Sequence, residues 1–235
     1  FSKLLFFRPQ IGLALANMGD LDSDGLNDFA ITSNYTSLGE VTIVKFDVEG
    51  AVASYSTIAA SSLGVSGLDS AGARFGTAVE GVADWDENGM ADLLVGAPGL
   101  DGGSILLVSL RSSSSGFVQL DSQETTKQLA SKTAIGESTA GTDFGAAIAY
   151  EPSTNLVLVG APSHSGGGAV WLLSLTSSLG VNSAVKLNTT ALDLEAGMRF
   201  GEAITILTNS SAGADYDGDM DTLDIAVSAP DATVE

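Results

Sequence analysis

The sequence contains no cysteine and only one histidine, His164, among its 235 residues. The absence of cysteine excludes a disulfide framework, a thiolate metal site and a cysteine nucleophile. A single histidine excludes metal sites built from several imidazoles. Basic residues are also scarce, with 9 Lys and Arg against 29 Asp and Glu, so the formal net charge is −20. This negative charge repels phosphate backbones and anionic lipid, which makes nucleic acid and acidic membrane surfaces poor partners.

Long apolar runs are missing as well. No stretch approaches the roughly 18–20 apolar residues that a membrane-spanning helix needs. The opening residues 1–7 are too short for the apolar core of a signal peptide and do not begin with methionine. We therefore expect a processed or excised chain from which any secretion signal has been removed, and no direct insertion into a membrane.

The residues that are abundant point to short strands. Hydrophobic residues make up 44% of the chain, which is enough to build a core, so disorder is not expected. The 28 glycines and few prolines predict many turns between short strands rather than long helices.

The chain repeats itself, which is the strongest indication of its fold. The pattern Gly-x-(Arg/Asp)-Phe-Gly occurs at residues 72–76, 141–145 and 197–201. Each copy is followed by Gly-Ala-Pro, or by the near copy Ser-Ala-Pro, at residues 96–98, 160–162 and 228–230. A weaker first copy starts at Ile11 and has Thr32-Ser33-Asn34 in the Gly-Ala-Pro place.

Each copy contains several short apolar runs separated by turn residues. The first two runs of a copy lie before and after the connection between Phe-Gly and Gly-Ala-Pro, and in three copies a third run follows a glycine. We expect a fourth strand near residues 52–58, 117–120 and 184–187. Four short strands per copy indicate an all-β fold made of β-propeller blades, each with four antiparallel strands. The alternative is an ordinary β-sandwich. We expect a single propeller region over residues 1–235, with residues 1–10 as a strand completing a neighbouring blade and blades at 11–62, 63–131, 132–190 and, in part, 191–235.

Two connections carry acids at a regular spacing. The first loop, residues 20–28, and the second loop, residues 84–92, have oxygen side chains at positions 1, 3, 5 and 9 and glycine at position 6. So many carboxylates repel each other unless a cation neutralises them, and an all-oxygen set favours Ca²⁺ over zinc or copper. Mg²⁺ fits less well because it demands a rigid octahedron. We expect the carbonyl at position 7 as a further donor. The predicted ligands are Asp20, Asp22, Asp24, Leu26 and Asp28, and Asp84, Asp86, Asn88, Met90 and Asp92.

These loops are not EF-hands, because position 12 is Ile31 or Val95 rather than a bidentate glutamate. The alternative is a solvated turn in which Asp and Asn cap backbone groups. The repetition of the whole pattern in two loops favours the metal interpretation. The acid at position 4 of the second loop, Glu87, is expected to point away from the ion.

The later copies depart from this pattern. In the third copy the connection at residues 150–155 lacks the acids, so we expect the strands without a metal loop. In the fourth copy the acids have a shifted spacing, and we expect Ca²⁺ there too, which makes about three ions. The predicted ligands of the fourth copy are Asp215, Asp217, Asp219, Asp221 and Asp224.

Phe-Gly, the acidic nine-residue loop and Gly-Ala-Pro recur in order over residues 11–230 and together resemble the FG-GAP repeats of integrin α-subunit β-propellers and integrin-like proteins. The resemblance implies structural Ca²⁺ ions in hairpin loops, on the side opposite the face that meets the β-subunit and extracellular ligands. It also implies a ring of about seven blades. We therefore expect this chain to be an incomplete part of a larger propeller, or to be completed by another chain.

Other features refine the function. Asn-x-Ser/Thr triplets at Asn34, Asn188 and Asn209 are candidate glycosylation sites and agree with an extracellular or cell-surface location. His164 is interpreted as a lone exposed loop residue, since no acid or nucleophile is tied to it. Arg74 and Arg199, which precede Phe-Gly, are expected to anchor neighbouring blades.

No convergent catalytic set is recognisable. We therefore predict a non-enzymatic, calcium-stabilised extracellular module for protein–protein interaction, adhesion or structural assembly, with other protein chains or further copies of itself as partners. One alternative is an accessory propeller of a larger secreted hydrolase, because similar repeats accompany a phospholipase domain in some proteins. Another is the head of an adhesion receptor in the strict integrin sense.

Overall fold

The computed structural model describes residues 11–33, 38–114, 116, 118–121, 127–131, 135–136, 142–176, 180–187, 195–207 and 224–231. Strands dominate these residues, and three short 3₁₀ turns lie at Ala60–Ser62, Ala71–Ala73 and Leu100–Gly102. The strands are β1 (Ile11–Gly19), β2 (Asp28–Ser33), β3 (Glu40–Phe46), β4 (Val52–Ala59), β5 (Val79–Val82), β6 (Asp92–Ala97), β7 (Ser104–Val108), β8 (Leu110–Ser112), β9 (Val118–Leu120), β10 (Lys127–Ser131), β11 (Ala147–Glu151), β12 (Leu156–Ala161), β13 (Ala169–Leu175), β14 (Val181–Lys186), β15 (Ile204–Leu207) and β16 (Asp224–Val227).

The strands form consecutive antiparallel sheets. The first sheet has the order β1-β2-β3-β4, the second β5-β6-β7-β10 and the third β11-β12-β13-β14, while β15 and β16 form a fourth hairpin. The first strands of successive sheets lie next to each other, with β5 between β1 and β11 and with β11 beside β15. Four-stranded antiparallel sheets that neighbour each other through their first strands are β-propeller blades, so the predicted fold class is confirmed.

The predicted fourth strand of the second sheet is wrong. Residues 118–120 form β9, which pairs with β8 in a separate two-stranded sheet, here called the inserted hairpin, while β10 supplies the fourth strand. The inserted hairpin forms because Leu110 and Val118 are buried in the core between the first and second sheets, and β9 packs beside β4. Elsewhere β4 and β14 occupy the predicted fourth-strand regions.

The core lies between successive sheets rather than inside one of them. Phe75 belongs to the cluster between the first and second sheets, Phe144 to the next cluster and Phe200 to the cluster beside the fourth hairpin. Phe75 and Phe144 are among the largest fully buried side chains. The phenylalanine of each Phe-Gly motif therefore fills one junction between blades, where apolar burial stabilises the stack of sheets.

The glycines of the two motifs bond to each other within a sheet and also touch the backbone of the next sheet. In the second sheet the Gly76 N–H donates to the Gly96 carbonyl at 2.9 Å, and in the third the Gly145 N–H donates to the Gly160 carbonyl at 3.0 Å. A Cβ on Gly96 would lie 2.0 Å from the Gly145 carbonyl oxygen of the next sheet, and one on Gly160 would lie 2.0 Å from that of Gly201. Glycine is required there because backbones of adjacent blades touch.

The residue before each Phe-Gly has a left-handed backbone, with φ of 55° at Arg74, 57° at Asp143 and 59° at Arg199. Arg74 forms an ion pair with Asp143, which joins the second copy to the third as predicted for an anchor between blades. Arg199 instead pairs with Glu202 of its own copy at 2.6 Å. Of these two arginines, Arg74 is the one whose acidic partner among the described residues belongs to the next copy.

His164 is buried rather than exposed, so the sequence interpretation of its environment is wrong. Its ring packs edge-on against Trp171 with the centroids 5.3 Å apart, and its Nδ1 lies 2.8 Å from the Ser165 carbonyl oxygen. Only 9% of the residue is accessible. The aromatic contact and the carbonyl give this histidine a packing role beside the third sheet.

The predicted blade boundaries stay a prediction, and the proposed strand at residues 1–10 lies outside the described residues. Within the part of the chain that the structure describes, no helix is long and apolar enough to cross a membrane.

Candidate metal centres in the inter-strand loops

The first loop connects β1 to β2 and brings three of its acids together. Carboxylate oxygens of Asp20, Asp22 and Asp28 all lie within 4.8 Å of one another. Asp20 accepts hydrogen bonds from the N–H groups of Asp24 at 3.0 Å and Gly25 at 2.8 Å, so the backbone wraps around the carboxylate at position 1. These bonds, led by that from Gly25, lower the pKa of Asp20 and keep it ionised.

The second loop connects β5 to β6 and repeats this geometry. Oxygens of Asp84, Asp86 and Asp92 lie within 4.8 Å of one another. Asp84 accepts hydrogen bonds from the N–H groups of Asn88 at 3.0 Å and Gly89 at 2.6 Å. The glycines at position 6 have positive φ, 88° at Gly25 and 92° at Gly89, which explains why that residue recurs in the two loops.

The acid at position 9 is the structural anchor of each loop. Asp92 is fully buried at the start of β6 and accepts hydrogen bonds from the N–H groups of Trp85 at 3.0 Å and Leu110 at 2.8 Å. Asp28 is equally buried at the start of β2 and accepts from the N–H of Leu21 at 3.0 Å. Each of these carboxylates therefore ties its loop to the strands on either side.

Burial works against ionisation of these acids. It raises the pKa of Asp92 to about 7, to which the nearby Asp86 and Asp84 carboxylates contribute, and it raises the pKa of Asp28 and Asp86 as well. A divalent cation between the three carboxylates would reverse this shift, because it compensates both the desolvation and the mutual repulsion.

One atom in the second loop lacks a partner. Asp86 Oδ2 is buried and has no hydrogen-bond donor among the described residues. A buried carboxylate oxygen without a donor is unfavourable unless a cation faces it. The donor set consists of oxygen atoms alone, and the carboxylates converge to within 4.8 Å, so the residues of the second loop fit a hard divalent cation.

The remaining predicted ligands of the two loops are placed differently. At position 5, Asp24 and Asn88 each accept a hydrogen bond from the backbone N–H at position 7, that of Leu26 at 2.8 Å and that of Met90 at 3.0 Å. Asp24 is not among the three converging carboxylates of the first loop, whereas the Asn88 side chain hydrogen-bonds Asp86 of the second trio. Coordination by them and by the carbonyls of Leu26 and Met90 stays a prediction.

The residues at positions 2 and 4 differ in exposure, since those at position 2 pack against neighbouring residues and those at position 4 are exposed. At position 2, Leu21 packs against the core beside the first sheet, and Trp85 contacts Tyr150 edge-on with centroids 5.8 Å apart. At position 4, Ser23 and Glu87 are exposed and have left-handed backbones, with φ of 63° and 59°.

Two further charged residues border the loops and carry no signal in the sequence. Lys45, at the end of β3, places its ammonium 3.5 Å from Asp22 Oδ2 of the first loop. Asp121, just after β9, accepts a hydrogen bond at 3.4 Å from the Asn88 side-chain amide of the second loop. Neither lies in a repeated motif, so only the folded chain brings them to the loops.

The third copy forms its strands without an acidic loop, as predicted. Residues 152–155 join β11 directly to β12, and Asn155 accepts a hydrogen bond at 3.0 Å from the Tyr150 hydroxyl. The predicted ligands Asp215, Asp217, Asp219 and Asp221 of the fourth copy lie outside the described residues, as do Asn34, Asn188 and Asn209. Asp224 begins β16 just as Asp92 begins β6.

No family model matches the chain. Integrin alpha-IIb of Homo sapiens is 36% identical to it over 96 residues, which are 38% of this chain and 8% of that protein. Integrin alpha-3 of Mus musculus is 35% identical over 91 residues, again 38% of this chain and 8% of the relative. Integrin alpha-V of Gallus gallus is 36% identical over 95 residues, 39% of this chain and 9% of the relative.

The matched segment is thus less than a tenth of the length of these curated relatives. The similarity agrees with the order of Phe-Gly, acidic loop and Gly-Ala-Pro in the sequence and with the stacked four-stranded sheets in the structure. The chain therefore carries an FG-GAP repeat region similar to those of integrin α subunits.

Proposed function

We propose that this chain is a non-enzymatic, calcium-stabilised β-propeller module that acts outside the cell in adhesion, protein–protein interaction or structural assembly. The single observation that carries the calcium part is the second loop, where three carboxylates converge and Asp86 Oδ2 is buried without a donor. The first loop repeats the same trio. The similarity to integrin α subunits supports the adhesion part.

Three carboxylates of the second loop would hold the ion. Asp84 and Asp86 would supply carboxylates from the first half of the second loop, while Asp92 would supply one from the start of β6. Bound Ca²⁺ would neutralise these charges and cross-link the loop to the strand. Asp92 also holds the N–H groups of Trp85 and Leu110, so an ordered loop would keep the inserted hairpin in place.

The proposed role of the metal is therefore rigidity rather than chemistry. With about three divalent ions bound, the formal charge would change from −20 to about −14 (−20 + 6), which reduces the self-repulsion that opposes folding. A ligand present at 100 times its dissociation constant stabilises the folded state by about 2.7 kcal/mol for each site. The module would then present a stiff surface to other protein chains or to further copies of itself.

Thermal unfolding tests the calcium part. We expect Ca²⁺ to raise the unfolding midpoint of the metal-free chain by about 5–10 °C, with a chelator reversing the shift and Mg²⁺ substituting poorly. Asp86→Asn should reduce the response to Ca²⁺, whereas Glu87→Gln, which changes the charge equally at an exposed position, should preserve it. A midpoint that is the same with Ca²⁺ and with chelator would remove the metal argument.

Association and location need separate tests. Leu13 and Leu15 on β1 are exposed by 50% and 62%, an apolar surface that a second chain could cover. Light scattering with Ca²⁺ should show association that grows with concentration, and a monomer at every concentration would contradict assembly with further copies. Expression through a secretory pathway should give chains whose mass falls on enzymatic removal of N-glycans; secreted chains without glycans would show that Asn34, Asn188 and Asn209 are unused.

A further inference from the structure

The two acidic loops differ in what faces the carboxylate at position 3. In the second loop Asp86 Oδ2 is buried and has no hydrogen-bond donor among the described residues. In the first loop the matching oxygen, Asp22 Oδ2, lies 3.5 Å from the ammonium nitrogen of Lys45. At position 3, therefore, the second loop has a carboxylate oxygen without a donor among the described residues, and the first loop has a carboxylate oxygen beside a lysine ammonium.

The residue that matches Lys45 in the second sheet is identified by strand register. Phe29 pairs with Val44, and Leu93 pairs with Val108, where Phe29 and Leu93 each follow the acid at loop position 9. The residues after Val44 and Val108 are Lys45 and Ser109. In both sheets the next residue donates its N–H to the position-9 acid, Phe46 to Asp28 at 3.4 Å and Leu110 to Asp92 at 2.8 Å.

Lys45 is held in place rather than free in solvent. Its side chain is only 5% exposed, and Nζ donates a hydrogen bond to the Gly116 carbonyl at the tip of the inserted hairpin at 3.2 Å. This carbonyl is 71 residues away in sequence, so the fold as a whole positions the ammonium. The fold thus holds the Lys45 ammonium between Asp22 and the Gly116 carbonyl, as a counter-charge fixed beside the loop.

From this geometry we infer that Lys45 is a tethered counter-ion of the first loop, which makes the first loop a weaker Ca²⁺ site than the second. This inference rests on the proposed function. Calcium in the first loop must either displace the ammonium from Asp22 or share the carboxylate with a like charge a few ångströms away. In the second loop no cation faces Asp86 Oδ2 among the described residues, and the nearby acid Asp121, which accepts from the Asn88 amide, is itself paired with Arg111 at 4.0 Å.

The electrostatics of the first loop are consistent with this inference. The Lys45 ammonium lies 3.5 Å from Asp22 Oδ2, and Asp22 is one of the three converging carboxylates. Lys45 therefore supplies part of the neutralisation that a bound ion would otherwise supply. Asp24 at position 5, where the second loop has Asn88, accepts the N–H of Leu26 and is not one of the three converging carboxylates, whereas Lys45 lies beside one of them.

Site-resolved calcium titration of the full chain tests the inference. The amides of Gly25 and Gly89 donate to the position-1 carboxylates, so their NMR signals report each loop separately. With free Ca²⁺ set by chelator buffers, the Gly89 signal should respond at about tenfold lower Ca²⁺ than the Gly25 signal. Lys45→Gln, which keeps a donor for the Gly116 carbonyl, should lower the Gly25 midpoint about tenfold and leave that of Gly89 unchanged.

Two further variants separate charge from packing. Lys45→Arg keeps the charge and should keep the weak first loop, whereas Lys45→Met removes both charge and donor and should tighten it as Gln does. Ser109→Lys should weaken the second loop. If the Lys45→Gln midpoint at Gly25 stays within threefold of wild type, or rises, the tethered-counter-ion inference is wrong. If neither glycine responds to Ca²⁺ in the wild-type chain, the proposed calcium function itself fails instead.

Discussion

The second and third sheets have the same strand order but connect their first two strands differently. In the second sheet an acidic loop over residues 83–91 joins β5 to β6, whereas residues 152–155 suffice to join β11 to β12. Both sheets still pair these strands in equivalent register, with Val79 opposite Val95 and Ile148 opposite Val159. The blade therefore needs the buried strands and motif glycines, while the acidic loop is an addition to one end.

The second loop contacts the third sheet on one side and the inserted hairpin on the other. Trp85 of the second loop contacts Tyr150, which precedes the short turn of the third sheet. Asp92 bonds to Leu110 at the base of the inserted hairpin, and the third sheet has no such hairpin among its described residues. An ion in the second loop would thus order contacts on both sides of its own blade, whereas the third blade has no acidic loop between its first two strands.

The largest expected effect concerns the motif glycines, which the second and third sheets share. In Gly160→Ala the new Cβ would lie 2.0 Å from the Gly201 backbone oxygen, so the two blades would have to separate locally. We expect a loss of about 3 kcal/mol in the free energy of unfolding. Gly72→Ala is the control, because its Cβ would approach nothing closer than 3.9 Å. Denaturant unfolding measures both, and a similar stability for the two variants would contradict the role assigned to the motif glycines.

The next prediction tests the acidic loop, which joins the first two strands of the second sheet but not those of the third. Asp92→Ala should abolish Ca²⁺ binding in the second loop and leave the buried N–H of Leu110 unpaired, at a cost of about 1–3 kcal/mol. Glu87→Ala, at the exposed position 4, should change neither property appreciably. Calorimetric titration and thermal unfolding measure the two effects. Equal losses of bound calcium in the two variants would show that the register of the loop is misassigned.

A third difference lies in the inner strands, where Glu80 of β5 faces Leu94 and Ala149 of β11 faces Leu158. Burial raises the pKa of Glu80 from 4.5 to about 7. The folded state therefore keeps a proton that the unfolded state loses above about pH 4.5, so this group makes stability fall as the pH rises from about 4.5 to 7. By pH 8 the cost reaches about 3 kcal/mol.

Glu80→Gln should remove that part of the pH dependence and make the calcium-free chain more stable than wild type at pH 8. At pH 4 the two chains should have similar stability. Denaturant unfolding at several pH values, with the wild-type curve subtracted, isolates the contribution of Glu80. A difference that does not change between pH 4 and pH 8 would mean that Glu80 ionises freely in the folded chain.

The smallest effect concerns the ion pair that joins the two sheets. Arg74 and Asp143 are 47% and 26% exposed at their side chains, so solvent screens their attraction. We expect Arg74→Ala to lower the free energy of unfolding by less than about 1 kcal/mol. A double-mutant cycle with Asp143→Asn measures the coupling, and raised salt should weaken it. A coupling well above this value would mean that the pair, rather than the apolar junction, holds the blades together.

Much of the fold could be predicted from the sequence because its signals are local and repeated. Phe-Gly, Gly-Ala-Pro and the nine-residue loops mark the same places in successive copies, and the strands beside them are short apolar runs. The pairing of β8 with β9 could not be predicted, because residues 118–120 resemble an ordinary fourth strand. Strand β9 pairs with β8 because Leu110 and Val118 are buried against the first sheet. The burial of His164 could not be predicted for a related reason, since Trp171 packs against it only in the folded chain.

The sequence by itself determined the blade architecture and the positions of the acidic loops, because backbone sterics, apolar periodicity and carboxylate spacing act over a few residues. The tertiary structure alone decided what surrounds each loop. It brought Lys45 to Asp22 and held it with the carbonyl of Gly116, and it set Asp121 beside Asn88. Electrostatic interactions depend on distance through space rather than along the chain. Two loops with the same spacing of acids therefore acquire different charges around them, and only the folded chain shows which loop already contains a cation.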